Sequence, residues 1–307
     1  MVARGRFELP SAGPEPAPIE ERGSNITHFG EKAQIKNSKA LSQCLQGYLL
    51  VDERLEPRVC KDYKNIALRF LKFSKGEISR ESVRAYLSTY IDKAPKTYNN
   101  QLDPLRALIC RYLKMPWIME GFKKAHVNSN YEIELPSKDQ IRRGFEALTD
   151  DRERAIYLFY ASTGLRLSEG LRLNRFEDID YELRAVKSKH DTRTKKAGLT
   201  FYNSESELYL KKYLASRQDN SERLFSIGYR EFQRIWKKAS QKAGVKIGPQ
   251  ILRKWHSTEL GELGVPDRYV DIFQGRAPRT VLAKFYTGKE LQRLKRIYDG
   301  ASIRVLA

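Results

Sequence analysis

The chain has 307 residues, enough for two domains of ordinary size, and carries 57 Lys+Arg against 38 Asp+Glu for a formal net charge of +19. Even with every acidic side chain paired, a surplus of cations remains, so the expected partner is a polyanion. No run of about 18 apolar residues and no signal-peptide core occurs, which argues against a membrane partner and for a cytoplasmic protein.

Residues 1–30 hold Leu9-Pro-Ser-Ala-Gly-Pro-Glu-Pro-Ala-Pro18 and no periodic apolar face, the composition of a flexible arm. Residues 31–126 read as an all-helical bundle: Leu41, Cys44, Leu45, Tyr48 and Leu49 recur at three and four, as do Tyr63, Ile66, Ala67, Phe70 and Phe73. Ser79 is placed to cap a helix over Glu81–Ile91, and Tyr98, Leu102, Leu105, Ile109 and Tyr112 mark another. Periodicity is lost over 127–136, which ends in Pro136 and reads as a linker. Ser137-Lys-Asp-Gln140 then has the form of a capping box, opening a second domain over 137–307 with helices through Ile141–Leu148 and Glu153–Ser162. Glu177 to about Asn203 is the only stretch expected to form strands, with Ala185–His190 and Leu199–Tyr202 flanking a turn rich in Lys and Arg. The remainder is helical, with stops at Gly244, Gly264 and Gly275. Cys44, Cys60 and Cys110 lie far apart in apolar helical contexts and are expected to be reduced core residues. With four scattered histidines, they assemble no zinc site by spacing, and neither metal nor cofactor is expected.

The chemistry concentrates in the second half. Arg166 follows Thr163-Gly164, a pair suited to capping and turning the chain into a helix, and Glu169 lies one turn later on the same face. A guanidinium held by a carboxylate in this way can present its fork to a phosphate. The turn Asp191-Thr-Arg-Thr-Lys-Lys-Ala-Gly198 follows, then Gln250-Ile-Leu-Arg253 with His256 one turn on, then Gln274-Gly275-Arg276, and ten residues later Tyr286.

In this order the segments resemble the tyrosine recombinase (integrase) family, whose Ala-x-x-Thr-Gly-x-Arg-x-x-Glu-x-x-x-Leu element is matched by Ala161, Thr163, Gly164, Arg166, Glu169 and Leu173. The resemblance implies a mainly α fold with a small antiparallel β-sheet: a two-domain C-shaped clamp in which a helical core-binding domain and an α+β catalytic domain enclose duplex DNA. It implies Tyr286 as nucleophile, Arg166 and Arg253 as phosphate clamps, and Lys196 as general acid, with Lys195 the second choice and Arg193 a phosphate contact. The family's His-x-x-Arg reads Gln250-x-x-Arg253 here, and its Leu-Gly-His reads Gln274-Gly275-Arg276. At Gln250 the histidine role is therefore either reduced to hydrogen bonding or passed to another residue, Arg276 replaces a histidine donor, and His256 is expected to be structural.

The loss of both usual histidines and the Gly-Arg-x-Pro turn are similar to integrases of archaeal fuselloviruses and related plasmids. That likeness implies an attachment site overlapping a tRNA gene. Phe7-Glu8 is encodable by the T-loop sequence of tRNA genes, although a simple leader explains the arm equally well. Recombination between two duplexes further implies a homo-tetramer on DNA with Leu291–Ala307 as the contact between protomers. The competing expectations are a type IB topoisomerase-like relaxing enzyme and a DNA-binding protein whose recombinase site has degraded.

Overall fold

The computed structural model describes residues 26–29, 32–127, 134–187, 198–276 and 290–307. The chain divides into two compact units, Met1–Tyr131 and Glu132–Ala307.

In the first unit the described residues form α1 (Ser38–Val51), α2 (Pro57–Phe73), α3 (Arg80–Ser88) and α4 (Pro95–Arg106), around a core that includes Leu41, Leu45, Leu49, Phe70, Val83, Leu102 and Leu105. The caps follow local chemistry. Asn37 accepts from the Ala40 amide at 3.0 Å to start α1, and Ser79 and Ser82 exchange hydrogen bonds of 3.0 and 3.1 Å to start α3. Such caps are each worth about 1 kcal/mol. The helix expected through Tyr112 is interrupted: Pro104 lies inside α4 and has no amide to donate, and Ala107–Tyr112 continues as a π-helical segment that keeps Leu108, Ile109 and Tyr112 buried.

The unit is not all helical, contrary to expectation. β1 (Ile26–Phe29) and β2 (Lys32–Ile35) pair antiparallel, with Ile26 opposite Ile35, and β3 (Glu77–Ile78) joins the other edge of β2. The arm assigned to 1–30 thus contains a strand. In β2 the period of two is visible, with Ala33 and Ile35 buried between an exposed Lys32 and a partly exposed Gln34. Four-residue strands offer too few alternations to stand out against the helices that follow. The cysteines also diverge from expectation: Cys60 is a core residue, but Cys44 is exposed and Cys110 half-buried.

The second unit is built around α6 (Asp151–Thr163), in which every residue from Ala155 to Thr163 is buried. Against it lie α5 (Lys138–Glu146), α8 (Ser204–Ser216), α9 (Tyr229–Ala243) and α10 (Pro249–Glu262), with Tyr157, Tyr160, Phe232 and Trp236 interlocking ring to ring. Ser137 and Gln140 form the expected capping box of α5, at 2.8 and 3.2 Å. A three-stranded antiparallel sheet of order β4 (Ile179–Asp180), β5 (Ala185–Lys187), β6 (Leu199–Phe201) packs on the same core.

Leu291–Ala307, expected as a contact between protomers, packs on its own unit in the single chain. Along α12 (Leu291–Ala301) and beyond, Leu294, Tyr298, Ala301, Ile303 and Val305 are buried. The Tyr298 hydroxyl donates to the Ser162 carbonyl at 2.7 Å, and Glu205 accepts the amides of Val305 and Leu306 at 2.7 and 3.1 Å. Among the described residues, no helix is long and apolar enough to cross a membrane.

Candidate active site

The site begins where α6 ends. Gly164 closes that helix in the left-handed conformation, at φ 61, ψ 22, and the chain then turns into the short α7 (Leu167–Gly170) with Arg166 at its N-cap. Thr163 is not a cap, as the motif suggested; it is the last helical residue, and its hydroxyl donates back to the Phe159 carbonyl. Arg166 is held twice by Glu169, whose carboxylate accepts the Arg166 backbone amide at 2.8 Å and its Nη1 at 2.6 Å. Both side chains are partly buried, where the attraction is less screened than in open water. The guanidinium is therefore oriented before any ligand arrives. Tyr160 braces the turn by donating to the Leu167 carbonyl at 2.9 Å.

Arg253 enters from α10, one turn in from its Pro249 start, and is buried. Its Nη1 donates to the Gly164 carbonyl at 2.7 Å, and its Nη2 donates to the Gln274 carbonyl. Glu169 Oε2 stands 4.0 Å from Nη1, so one carboxylate faces both arginines. Burial first, and then the like charge of Arg166, pulls the Arg253 guanidinium down to about 10, with Glu169 opposing. It stays charged at any physiological pH. Two of its five N–H donors serve the protein, which leaves the rest for a ligand.

Around Arg253 lies a buried polar knot. Gln274 Nε2 donates to the Arg253 carbonyl at 2.7 Å and lies 3.3 Å from His256 Nδ1. The His256 ring in turn is pressed against Gly164, where a Cβ would stand 2.6 Å from Nδ1. Burial, followed by the Arg253 charge, holds this imidazole down at about 3, so it is neutral. Gln274 Oε1 and His256 Nε2 have no hydrogen-bond partner among the described residues.

Arg276 follows a turn at Gly275, φ 55, and is partly exposed. Asp271 holds it by a backbone bond of 2.8 Å and an ion pair of 3.2 Å. The root of the basic turn reaches the same place, since a Cβ on Gly198 would lie 3.3 Å from the Cα and N of Gly275. Arg193, Lys195, Lys196 and Tyr286 lie outside the described residues. Gln250 is exposed on the first turn of α10 and, among the described residues, makes no hydrogen bond to the arginines.

The structure thus brings Arg166, Glu169, Arg253 and His256 together with Gln274. The roles of Gln274 and Asp271 were not anticipated. The signal for Gln274 was available, as an amide that follows the apolar Ile272-Phe273 at a helix end; Asp271 carried none, being one acid among many. No cluster of metal-ligating side chains occurs among the described residues.

A family profile described as archaeal phage integrase matches residues 133–299, more than half of the chain. The chain belongs to that family. Among curated relatives of this integrase are tyrosine recombinases XerA from Thermococcus kodakarensis, 26% identical over 82% of this chain and 92% of the relative, and from Saccharolobus solfataricus, 23% identical over 62% and 68%. Among solved structures, the Tn1549 transposon integrase in complex with circular intermediate DNA superposes with TM-score 0.60 at 14% identity, covering 82% of this chain and 96% of that one. A lambda integrase dimer bound to a COC' core site gives TM-score 0.60 at 12% identity, covering 89% and 81%. The mainly α architecture with small antiparallel sheets is that of the tyrosine recombinase integrases.

Proposed function

We propose that this integrase is a site-specific DNA recombinase that cleaves and rejoins duplex DNA through a 3′-phosphotyrosyl intermediate, inserting or excising a viral or plasmid element. The observation that carries this reading is the convergence of Arg166 and Arg253, from segments 87 residues apart, on one carboxylate, with both guanidiniums fixed by protein hydrogen bonds. Fixed donors of this kind stabilise charge that develops in a transition state without reorganising.

Tyr286 is the proposed nucleophile. A phenol has a pKa of about 10, so its attack on phosphorus depends on neighbouring cations. Its oxygen forms the new P–O bond while the bond from phosphorus to the 5′ oxygen breaks, and Lys196 supplies the proton to that oxygen, with Lys195 as second choice. Arg166 and Arg253 clamp the non-bridging oxygens. Arg276 assists from the rim, where its partial exposure lets it turn from Asp271 to a phosphate at small desolvation cost. Arg193 contacts a neighbouring phosphate. One phosphodiester replaces another, so the bond energy is conserved and attack by a different 5′ hydroxyl reseals exchanged strands without ATP. The partner is double-stranded DNA, supported by the net charge of +19. Strand exchange is assigned to a homo-tetramer acting at an attachment site that overlaps a tRNA gene.

A nicked suicide substrate carrying the attachment site tests the chemistry. Wild-type protein is expected to form a covalent adduct that Tyr286→Phe does not form. Arg166→Ala is expected to retain duplex binding while cleavage falls by about a hundredfold or more, the scale of losing one preorganised donor. Strong DNA binding by wild type with no adduct would sink the enzymatic reading, and relaxed circles without exchanged strands would point to a topoisomerase.

A further inference from the structure

Resting on the recombinase reading, we propose that His256 and Gln274 are positioning residues that set Arg253 for the cleavage step. Neither touches the reacting phosphate in this assignment. His256 orients Gln274, and Gln274 with Gly164 orients Arg253.

The connections run in a closed circuit through three separate segments. Arg253 donates from its two terminal nitrogens to the carbonyls of Gly164 and Gln274, one at the end of α6 and the other at the end of α11 (Asp267–Phe273). The Gln274 side-chain amide returns a bond of 2.7 Å to the Arg253 carbonyl, so the same two residues hold each other twice, by side chain and by backbone. An amide can do this in only one flip. The NH₂ must face the Arg253 carbonyl and the oxygen must face away.

His256 decides the flip. Its Nδ1 lies 3.3 Å from Gln274 Nε2, and a neutral ring with its proton on Nε2 presents a lone pair there. An imidazolium would present a second donor to the NH₂ and a second positive charge to Arg253. Burial and Arg253 itself exclude that form. The other groups acting on the ring are the Ser162 carbonyl, Gly164 and, as a further positive charge, Arg276. The ring fills the space beside Gly164, the residue whose carbonyl accepts from the Arg253 guanidinium. A change at His256 is transmitted to Arg253 through both of its carbonyl partners.

Buried amides and imidazoles with incomplete hydrogen bonding cost stability, and Gln274 Oε1 and His256 Nε2 are both without a partner among the described residues. A core built for stability alone would place apolar groups in the knot. Its retention fits a role in geometry, because a shift of about 1 Å in a group acting on a transition state is worth up to about a hundredfold in rate.

The test compares His256→Phe, which keeps a ring but removes the acceptor, with His256→Asn, whose side-chain oxygen can stand where Nδ1 stands. Gln274→Leu serves as a second probe in case the phenylalanine variant does not fold. On the suicide substrate at saturating DNA, His256→Phe and Gln274→Leu are expected to slow single-turnover cleavage by about ten- to a hundredfold, with duplex affinity within about twofold of wild type. His256→Asn is expected to recover most of the rate. Cleavage at the wild-type rate in His256→Phe, or affinity and rate falling together with no recovery in His256→Asn, would overturn the assignment. Absence of adduct from wild type under the same conditions would instead overturn the recombinase reading on which it rests.

Discussion

His256 carries a pH signature that belongs to a single side chain. Its folded value of about 3 lies below the ordinary histidine value near 6.5, so the unfolded chain binds the proton more readily. The stability this group contributes is present above pH 6.5 and is lost as the pH falls through the window down to about 3. One proton allows a slope of at most about 1.4 kcal/mol per pH unit. Denaturation midpoints measured between pH 4 and 6.5 are expected to fall with pH in wild type and to fall less steeply in His256→Asn. Parallel curves would mean that the ring is not buried in its neutral form. At this scale the arginines were legible and their supports were not. Arg166 stands out by its spacing from Gly164 and Glu169, and Arg253 by its place in Gln250-x-x-Arg253, whereas the groups that hold Arg253 come from positions 89 and 21 residues away, a relation that no local pattern contains.

Among the elements, the end of α6 concentrates the constraints. Gly164 is left-handed, its carbonyl receives Arg253, and His256 occupies the space a Cβ would need. Gly164→Ala meets all three at once, with about 1 to 2 kcal/mol for the left-handed backbone alone and a collision with the imidazole beyond that. The expected result is a lowered thermal midpoint together with lost cleavage; a variant with wild-type stability would show that the turn tolerates a side chain. Tyr298 tests the opposite face of the same helix. Tyr298→Phe removes the hydroxyl that donates to the buried Ser162 carbonyl, and a loss of about 1 kcal/mol is expected in chemical denaturation. Elements with strong local grammar were readable: the Ser79 and Ser137 caps, and the strands at Ala185 and Leu199. β1 and β2 were not, because each has only four residues and β3, which pairs with β2 alone, lies more than 40 residues downstream and supplies only two residues. The π-helical segment after Pro104 likewise depends on register, not on residue type.

For the whole molecule, the excess of 57 basic over 38 acidic residues dictates how binding responds to salt. Each phosphate neutralised contributes about 0.9 to the slope of log affinity against log salt, so an interface with 6 to 10 such contacts loses about 10³ to 10⁵ in affinity between 50 and 200 mM. Filter-binding titrations on the attachment site and on unrelated duplex are expected to give similar steep slopes, with specificity appearing as an offset between two nearly parallel lines. A shallow slope on both would mean that the positive charge is not directed at DNA. Replacing Arg166 with Ala should reduce the slope by no more than one contact while abolishing cleavage, which separates chemistry from general attraction.

The contact between Gly198 and Gly275 has a different kind of consequence. Two backbones meet there so closely that a Cβ on Gly198 would stand 3.3 Å from the Cα and N of Gly275, at the base of the basic turn on one side and at the start of the Arg276 turn on the other. The close approach leaves no room for a side chain at Gly198, so the end of the basic turn is registered against the residue before Arg276 by backbone alone. Redesign of target preference by exchanging the residues of that turn is therefore compatible with an intact arginine cluster, provided these two positions remain without side chains.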